Sequence, residues 1–227
     1  MEYHNPVLLH PTVDGLDIKP DGIYVDVTFG GGGHSKEILR RLGPNGKLFA
    51  FDQDEDALAN ALPDERFTLI NENFRFIKRF LRFYGVKGVD GILADLGVSS
   101  HQFDVAERGF STRFDAGLDM RMSQKNDLSA YRVVNEYDDA NLRRVFFDYG
   151  ELKNAPALSR TIIEAREQHL IKTTDELKDV LAKYLPERIR NKILAQIYQA
   201  IRIEVNQEMD VLKEFLEQSL EVLNPGG

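Results

Sequence analysis

One stretch limits what this chain can fold into more than any other: Tyr24-Val-Asp-Val-Thr-Phe-Gly-Gly-Gly-Gly-His-Ser-Lys-Glu-Ile-Leu39. It reads as an apolar strand, a turn of four glycines (Gly30 to Gly33) and a helix. Glycine alone takes positive φ freely and lets a backbone touch a ligand. A helix starting just beyond the turn adds unpaired N–H groups and the positive end of its dipole. Strand, bare turn and helix start together make a nucleotide-type pocket at the end of a parallel sheet.

The phosphate-binding versions of that pocket fail in detail. A dinucleotide fingerprint, G-x-G-x-x-G, would need glycine where Ser35 or Lys36 stands. A P-loop needs Lys and a hydroxyl residue directly after its last glycine, and no glycine here is followed by them. A glycine turn with Asp26 two residues inside the strand better fits S-adenosylmethionine (SAM), which carries no phosphate. Asp26 would either orient the turn or meet the methionine ammonium. Asp52 follows at the tip of the second strand, where an acid takes ribose hydroxyls, with Asp54 as its competitor. Phe74, after the third strand, reads either as a ring stacked on adenine or as ordinary core.

Alternation of strand and helix extends this reading along the first part of the chain. Strands are expected over 22–29, Leu48–Phe51, Phe67–Ile70 and Val89–Leu96. Helices are expected over Ser35–Leu42, Glu55–Leu62 and Phe74–Tyr84, the last with Phe76, Ile77, Phe80 and Leu81 on its apolar face. The fold class is therefore α/β with a doubly wound parallel sheet. Residues 97–126 are irregular and rich in Gly, Ser, Asp and Arg, which in a compact domain points to function. From Leu128 onward the pattern is helical, including a capping box at Thr173-Thr-Asp-Glu176 and a last helix with Met209, Leu212, Phe215, Leu216, Leu220 and Leu223 at helical spacing. Residues 1–103 form the first part of the sheet domain, 104–203 an inserted helical domain, and 204–227 a return helix. Asn224-Pro-Gly-Gly227 would normally introduce another strand, so the C-terminal strands are expected to be missing and strand four to be left as an unpaired edge.

Composition removes several function classes. With no cysteine, disulfides, thiolate metal sites and cysteine nucleophiles are excluded, and a reducing cytoplasm suits the chain. Its five histidines (His4, His10, His34, His101, His169) show no metal-ligand spacing, so no metal is expected. No run reaches the ~20 apolar residues of a membrane span. A net charge of −8 argues against a general polyanion-binding surface but leaves room for local ones. Arg75, Lys78, Arg79, Arg82 and Lys87 form one basic cluster; Arg108, Arg113 and Arg121 fall in another. Each reads either as a solvated face or as an anion contact.

The reacting group is sought at the end of strand four, in Asp95-Leu-Gly-Val-Ser-Ser-His-Gln102. Strand ends face the ligand crevice in such sheets. Asp95 there reads either as a loop cap or as an acceptor for an exocyclic amine, whose lone pair it would help to free. Ser99, Ser100 and Gln102 read as loop hydrogen-bonders, and a serine nucleophile lacks the G-x-S-x-G elbow.

Beyond these single residues, the chain resembles the RsmH (MraW) family of bacterial 16S rRNA cytosine-N4 methyltransferases. The matching strings are His4-Asn-Pro-Val-Leu-Leu9, Tyr24 through Ser35, Asp90-Gly-Ile-Leu-Ala-Asp-Leu-Gly-Val-Ser-Ser-His-Gln102, Arg108-Gly-Phe-Ser111, Leu118-Asp-Met-Arg-Met122 and Gln199-Ala-Ile-Arg-Ile-Glu-Val-Asn206. The resemblance implies a class I, Rossmann-like SAM-dependent methyltransferase with a helical insert, acting in the cytoplasm on a cytidine in the decoding centre of the small ribosomal subunit. It carries SAM contacts onto Gly32, Gly33, His34, Asp52, Phe74, Asp95 and Gln102. It makes Asp95 the catalytic candidate, and Arg108, Arg113, Arg121 and Arg202 candidates for RNA phosphate contact. A homodimer is compatible with it. The chain departs from the family at Gln196-Ile-Tyr-Gln199, where a Thr-x-Phe-Gln string is usual, and in the strand and hairpin expected after Gly227. Two other readings remain: a catalytically impaired RNA- or ribosome-binding module, and, weakly, a nicotinamide-dependent dehydrogenase.

Overall fold

The computed structural model describes residue 6 and residues 8–227; His4, Asn5 and Val7 of the first matching string lie outside them. The described chain divides into two compact units, one from Met1–Ser99 with Asp210–Gly227 and one from Ser100–Met209.

The first unit is built on four short parallel strands, β1 (Ile23–Asp26), β2 (Lys47–Phe51), β3 (Phe67–Ile70) and β4 (Gly91–Leu93), in the order β3-β2-β1-β4. The register sets Val25 beside Phe49 and Ile92, and Asp26 beside Ala50 and Leu93. Because strand side chains alternate between faces, this register sorts the core into two layers. Val25, Val27, Phe49, Phe51 and Ile70 pack on one face against Ile77, Leu81, Phe215 and Val222. Tyr24, Leu48 and Leu93 pack on the other against Val13, Ile38, Leu39 and Leu42. Both faces are covered, as a parallel sheet requires. The helices that cover them are α1 (Leu9–Asp14) and α2 (Gly33–Arg41) on the second face, and α3 (Ile77–Phe83) and α10 (Glu208–Val222) on the first.

Several expectations shift. β4 is shorter than Val89–Leu96, so Asp95 stands two residues beyond its end. The segment after β2 is a 3-10 helix, Glu55–Asn60, capped by Asp54, and it gives way to extended chain at Ala61 ahead of Pro63. The stretch after β3 opens with a 3-10 turn at Phe74–Phe76, which turns Phe76 outward, off the apolar face predicted for it. Met209, Leu216 and Leu220 of α10 are also exposed, Leu220 by 82 %; the buried contacts come from Val211, Phe215 and Val222. The outer edge of β4 is not wholly bare. Val89 donates to the Val222 carbonyl at 2.9 Å and accepts from Asn224 N–H at 2.9 Å, forming a parallel bridge with Leu223.

The second unit is helical: α4 (Ser100–Asp104), α5 (Ala130–Glu136), α6 (Asp139–Arg144) continued by a π turn at Val145–Tyr149, α7 (Ala155–Gln168), α8 (Thr174–Val180) and α9 (Arg190–Asn206). The predicted capping box closes on both sides, Thr173 accepting from Glu176 N–H and Glu176 accepting from Thr173 N–H. α8 stops at Val180, and a 3-10 turn (Ala182–Tyr184) leads into Pro186. Val133, Val134, Leu142, Phe146, Leu158, Ile162, Ile197 and Ile201 are all fully buried in this unit. No helix among the described residues is long and apolar enough to cross a membrane.

Candidate active site at the carboxyl edge of the sheet

β1, β2, β3 and β4 run parallel, so the loops leaving them emerge at one edge, the place where open α/β sheets bind ligands. The glycine turn leaves β1 there. Gly30 (φ 51°) and Gly32 (φ 75°) take left-handed conformations, and Gly32 N–H closes the turn on the Phe29 carbonyl at 2.7 Å. A Cβ on Gly32 would strike the Phe29 ring at 2.9 Å, so the turn needs glycine for space as well as for φ. α2 begins at Gly33 immediately afterwards.

Asp52, the first residue past β2, reaches back to that turn. Its Oδ2 accepts from Gly30 N–H at 2.8 Å and its Oδ1 from Asp54 N–H at 2.9 Å. Burial pushes its pKa up to about 6, with the Asp54 and Asp26 carboxylates adding to the effect against the two backbone hydrogen bonds. Asp54 instead caps the following 3-10 helix through Asp56 N–H. Of the two acids that the sequence left in competition, Asp52 is therefore the one on the turn.

Asp26 is fully buried and lies under the site. It accepts from Ser35 Oγ at 2.7 Å and Thr28 N–H at 3.1 Å, so of its two predicted roles it performs the first and orients the turn. Burial raises its pKa, and the hydrogen bonds from Ser35 and Thr28 oppose that rise. Thr28 then passes the connection on, its Oγ1 accepting from Asp95 N–H at 2.8 Å. The Asp95 carboxylate is 58 % exposed, with His34 Nδ1 4.0 Å from its Oδ2. His34 is buried, and its Nε2 has no hydrogen-bond partner among the described residues. Thr28 and Ser35 were missed from sequence, although the D-x-T at the strand exit and the serine in the first helical turn were visible signals for a buried brace.

Phe74 stands at the same edge, half-buried, its ring edge-on to Phe215 at 5.1 Å. It belongs to the rim of the core, with part of its surface still open. Gly32, Gly33, His34, Asp52, Phe74 and Asp95 thus share the first unit. Gln102, buried on α4, belongs to the second, as do the four predicted RNA-contacting arginines.

Three of those arginines are engaged inside the protein. Arg108 is buried, donates to the carbonyls of Arg121 and Met122 at 2.9 and 3.0 Å, and lies over the Phe110 ring. Arg121 forms a bidentate pair with Asp119 at 2.8 and 2.9 Å. Arg202 does the same with Glu208 at 2.7 and 3.0 Å. Asn206, also buried, completes this lattice by donating to the Met120 carbonyl and accepting from Met122 N–H. Arg113 is exposed. No cluster of His, Asp or Glu suited to a metal ion occurs among the described residues.

The carboxyl edge of the sheet thus brings the glycine turn, Asp52 and Asp95 together, and comparison with known proteins gives the family. The family model described as the MraW methylase family matches residues 1–227. A ribosomal RNA small subunit methyltransferase H of Flavobacterium johnsoniae is 89 % identical over 227 residues, which is 100 % of this chain and 75 % of that protein. The protein of the same name from Flavobacterium psychrophilum is 77 % identical over 220 residues, covering 97 % and 76 % of the two chains. That from Bacteroides thetaiotaomicron is 52 % identical over 227 residues, again 100 % and 75 %. With a glycine turn, a strand-tip acid and a second acid at the end of β4 on one sheet edge, and a match along its whole length, the chain belongs to the MraW methylase family.

Proposed function

We propose that this chain transfers a methyl group from SAM to the exocyclic N4 of a cytidine in the decoding centre of 16S rRNA, on the small ribosomal subunit in the cytoplasm. What carries this reading is the convergence of the glycine turn, Asp52 and Asp95 on one sheet edge, joined by the Gly30–Asp52 and Thr28–Asp95 hydrogen bonds. The relatives' shared name, ribosomal RNA small subunit methyltransferase H, supports the class of substrate.

The residues present fit SAM. The orphaned Nε2 of buried His34 offers a polar contact beside the turn, and Gly30, with nothing within 4 Å of where a Cβ would stand, leaves room for close approach. Asp52, held by two backbone N–H groups, keeps lone pairs for the ribose hydroxyls. Phe74 offers an apolar ring for adenine, Gly32 and Gly33 complete the set within the first unit, and Gln102 is the SAM contact that the family resemblance adds from the second. SAM supplies an electrophilic methyl group when bound.

The protein's own part is positioning. A base inside a folded RNA must be turned out to reach such a pocket. Asp95 then accepts a hydrogen bond from the exocyclic amine, orienting its lone pair toward the methyl group. Thr28 and Asp26 hold the Asp95 backbone in place from below. Arg113 is the arginine retained for RNA phosphate contact. Arg108 and Arg121 act on RNA through the loop they hold together, whereas Arg202 is taken up by Glu208.

Radiolabelled methyl transfer from SAM to small subunits lacking the modification, followed by identification of the nucleoside, tests the reading. N4-methylcytidine is the expected product. Label in another nucleoside, or none with a SAM-saturated protein, would contradict it.

A further inference from the structure

The basic cluster after β3 resolves into two parts with different fates. Arg75 pairs with Glu214 and Lys78 with Glu221, joining α3 to α10. Arg79, Arg82 and Lys87 are exposed and form no ion pair among the described residues. Three aromatic side chains stand among them. Phe83 is 78 % exposed, Tyr84 and Phe76 are each exposed by two-fifths or more, and the Phe83 and Tyr84 rings meet edge to face at 5.2 Å. Arg79 and Phe83 are four residues apart on α3, which puts them on one side of the helix, and exposed Phe76 sits in the 3-10 turn just before it.

Folding accounts for Tyr84, whose ring meets core Phe49 at 5.4 Å, but not for Phe83 or the cations beside it. The sheet-facing side of α3 is already filled by Ile77 and Leu81, so Phe83 contributes little to the core. A chain of net charge −8 has also kept three exposed cations within nine residues; Arg82 feels the Glu221 carboxylate, and Arg79 and Lys87 have no ion-pair partner among the described residues. Exposed rings beside unpaired cations are what a single-stranded nucleic acid needs: π-faces for unstacked bases and positive charge for the backbone. An apolar protein partner would use the rings and leave the cations unmatched.

We infer that the outer side of α3, with Phe76, Arg79, Arg82, Phe83, Tyr84 and Lys87, is a docking surface for single-stranded RNA, separate from the SAM pocket. The inference rests on the RNA reading above and adds a second contact to it. α3 starts at the pocket edge with Phe74 just before it, and its seven residues carry Phe83 about 10 Å along the helix axis. RNA held there would be tethered near the pocket without entering it.

The test is fluorescence anisotropy of the whole chain with a short labelled single-stranded oligouridylate and with an RNA duplex of equal length, across a salt series. Phe83→Ala is expected to weaken single-strand binding about tenfold, with a smaller effect on the duplex. Arg79→Gln with Arg82→Gln is expected to lower the salt slope by about 0.7 per cation removed. SAM titration of each variant should match wild type, which separates loss of this surface from loss of the fold or of the methyltransferase site. Wild-type protein that does not bind the oligouridylate, variants that bind it as wild type does, or a Phe83→Ala effect equal on both RNAs would overturn the inference. So would a variant that changes only the sedimentation behaviour of the protein, which would make the surface a contact between two copies of the chain.

Discussion

The glycine turn and the loop that carries Arg108 and Arg121 use charged residues in opposite ways. At the turn, Asp52 is held by two backbone N–H groups and still presents lone pairs toward the sheet edge. In the loop, Arg108 and Arg121 turn inward, onto carbonyls and a carboxylate of the loop itself. A loop with little regular secondary structure must satisfy its backbone groups somehow, and long side chains with several donors do so where no ladder exists. A charged residue near a site can therefore serve the ligand or serve the loop, and hydrogen-bond partners decide which.

Asp52 gives the sharpest way to break this contrast. Asp52→Asn should weaken SAM binding on the order of 100-fold, since the amide removes the charge and turns an NH2 group toward a backbone N–H. Calorimetry measures it; an affinity within a few-fold of wild type would put the acceptor elsewhere. Arg108→Met should cost about 2 kcal/mol in urea unfolding, because two carbonyls lose their donor in a buried setting. Next comes Thr28→Val, which keeps the shape and removes the acceptor for Asp95 N–H. Methyl transfer should fall about tenfold and Thr28→Ser should restore it. If Thr28→Ser failed to rescue, packing rather than the hydrogen bond would be the cause.

The pH dependence follows from the same carboxylate. With its folded pKa at about 6, above the ordinary 3.8, Asp52 binds its proton more tightly folded than unfolded. Its contribution to the stability of the SAM-free protein is therefore greatest below the unfolded pKa and is lost as pH rises through about 6. SAM binding needs the ionised form and runs the other way, weakening about tenfold between pH 7 and pH 5. Affinity independent of pH over that range would remove Asp52 from the contact. The smallest effect belongs to Arg113→Ala, which should change stability by less than about 0.5 kcal/mol and weaken RNA binding about threefold.

The same contrast explains what was legible in the sequence. Alternating strands and helices and the capping box at Thr173 are set by local pattern, and they are present in the fold. The glycine turn was legible because only glycine meets its φ and space requirements, and Asp52 because strand-tip positions are fixed by topology. The inward turn of Arg108 was not legible. It depends on the carbonyls of Arg121 and Met122, thirteen and fourteen residues away, in a loop without periodicity. Phe76 was misplaced for a related reason: helical spacing was extended across a 3-10 turn, which rotates its side chain off the apolar face. Thr28 was overlooked because its hydrogen bond to Asp95 spans 67 residues.

The central claim is that the glycine turn and Asp52 form an adenosyl site without phosphate recognition. Calorimetric titration of the wild-type chain at neutral pH with SAM, and separately with NAD and ATP, tests it most directly. Saturable one-to-one binding of SAM, with no measurable heat from the two phosphate-bearing nucleotides, is the result expected. Binding of NAD or ATP with no binding of SAM would contradict it.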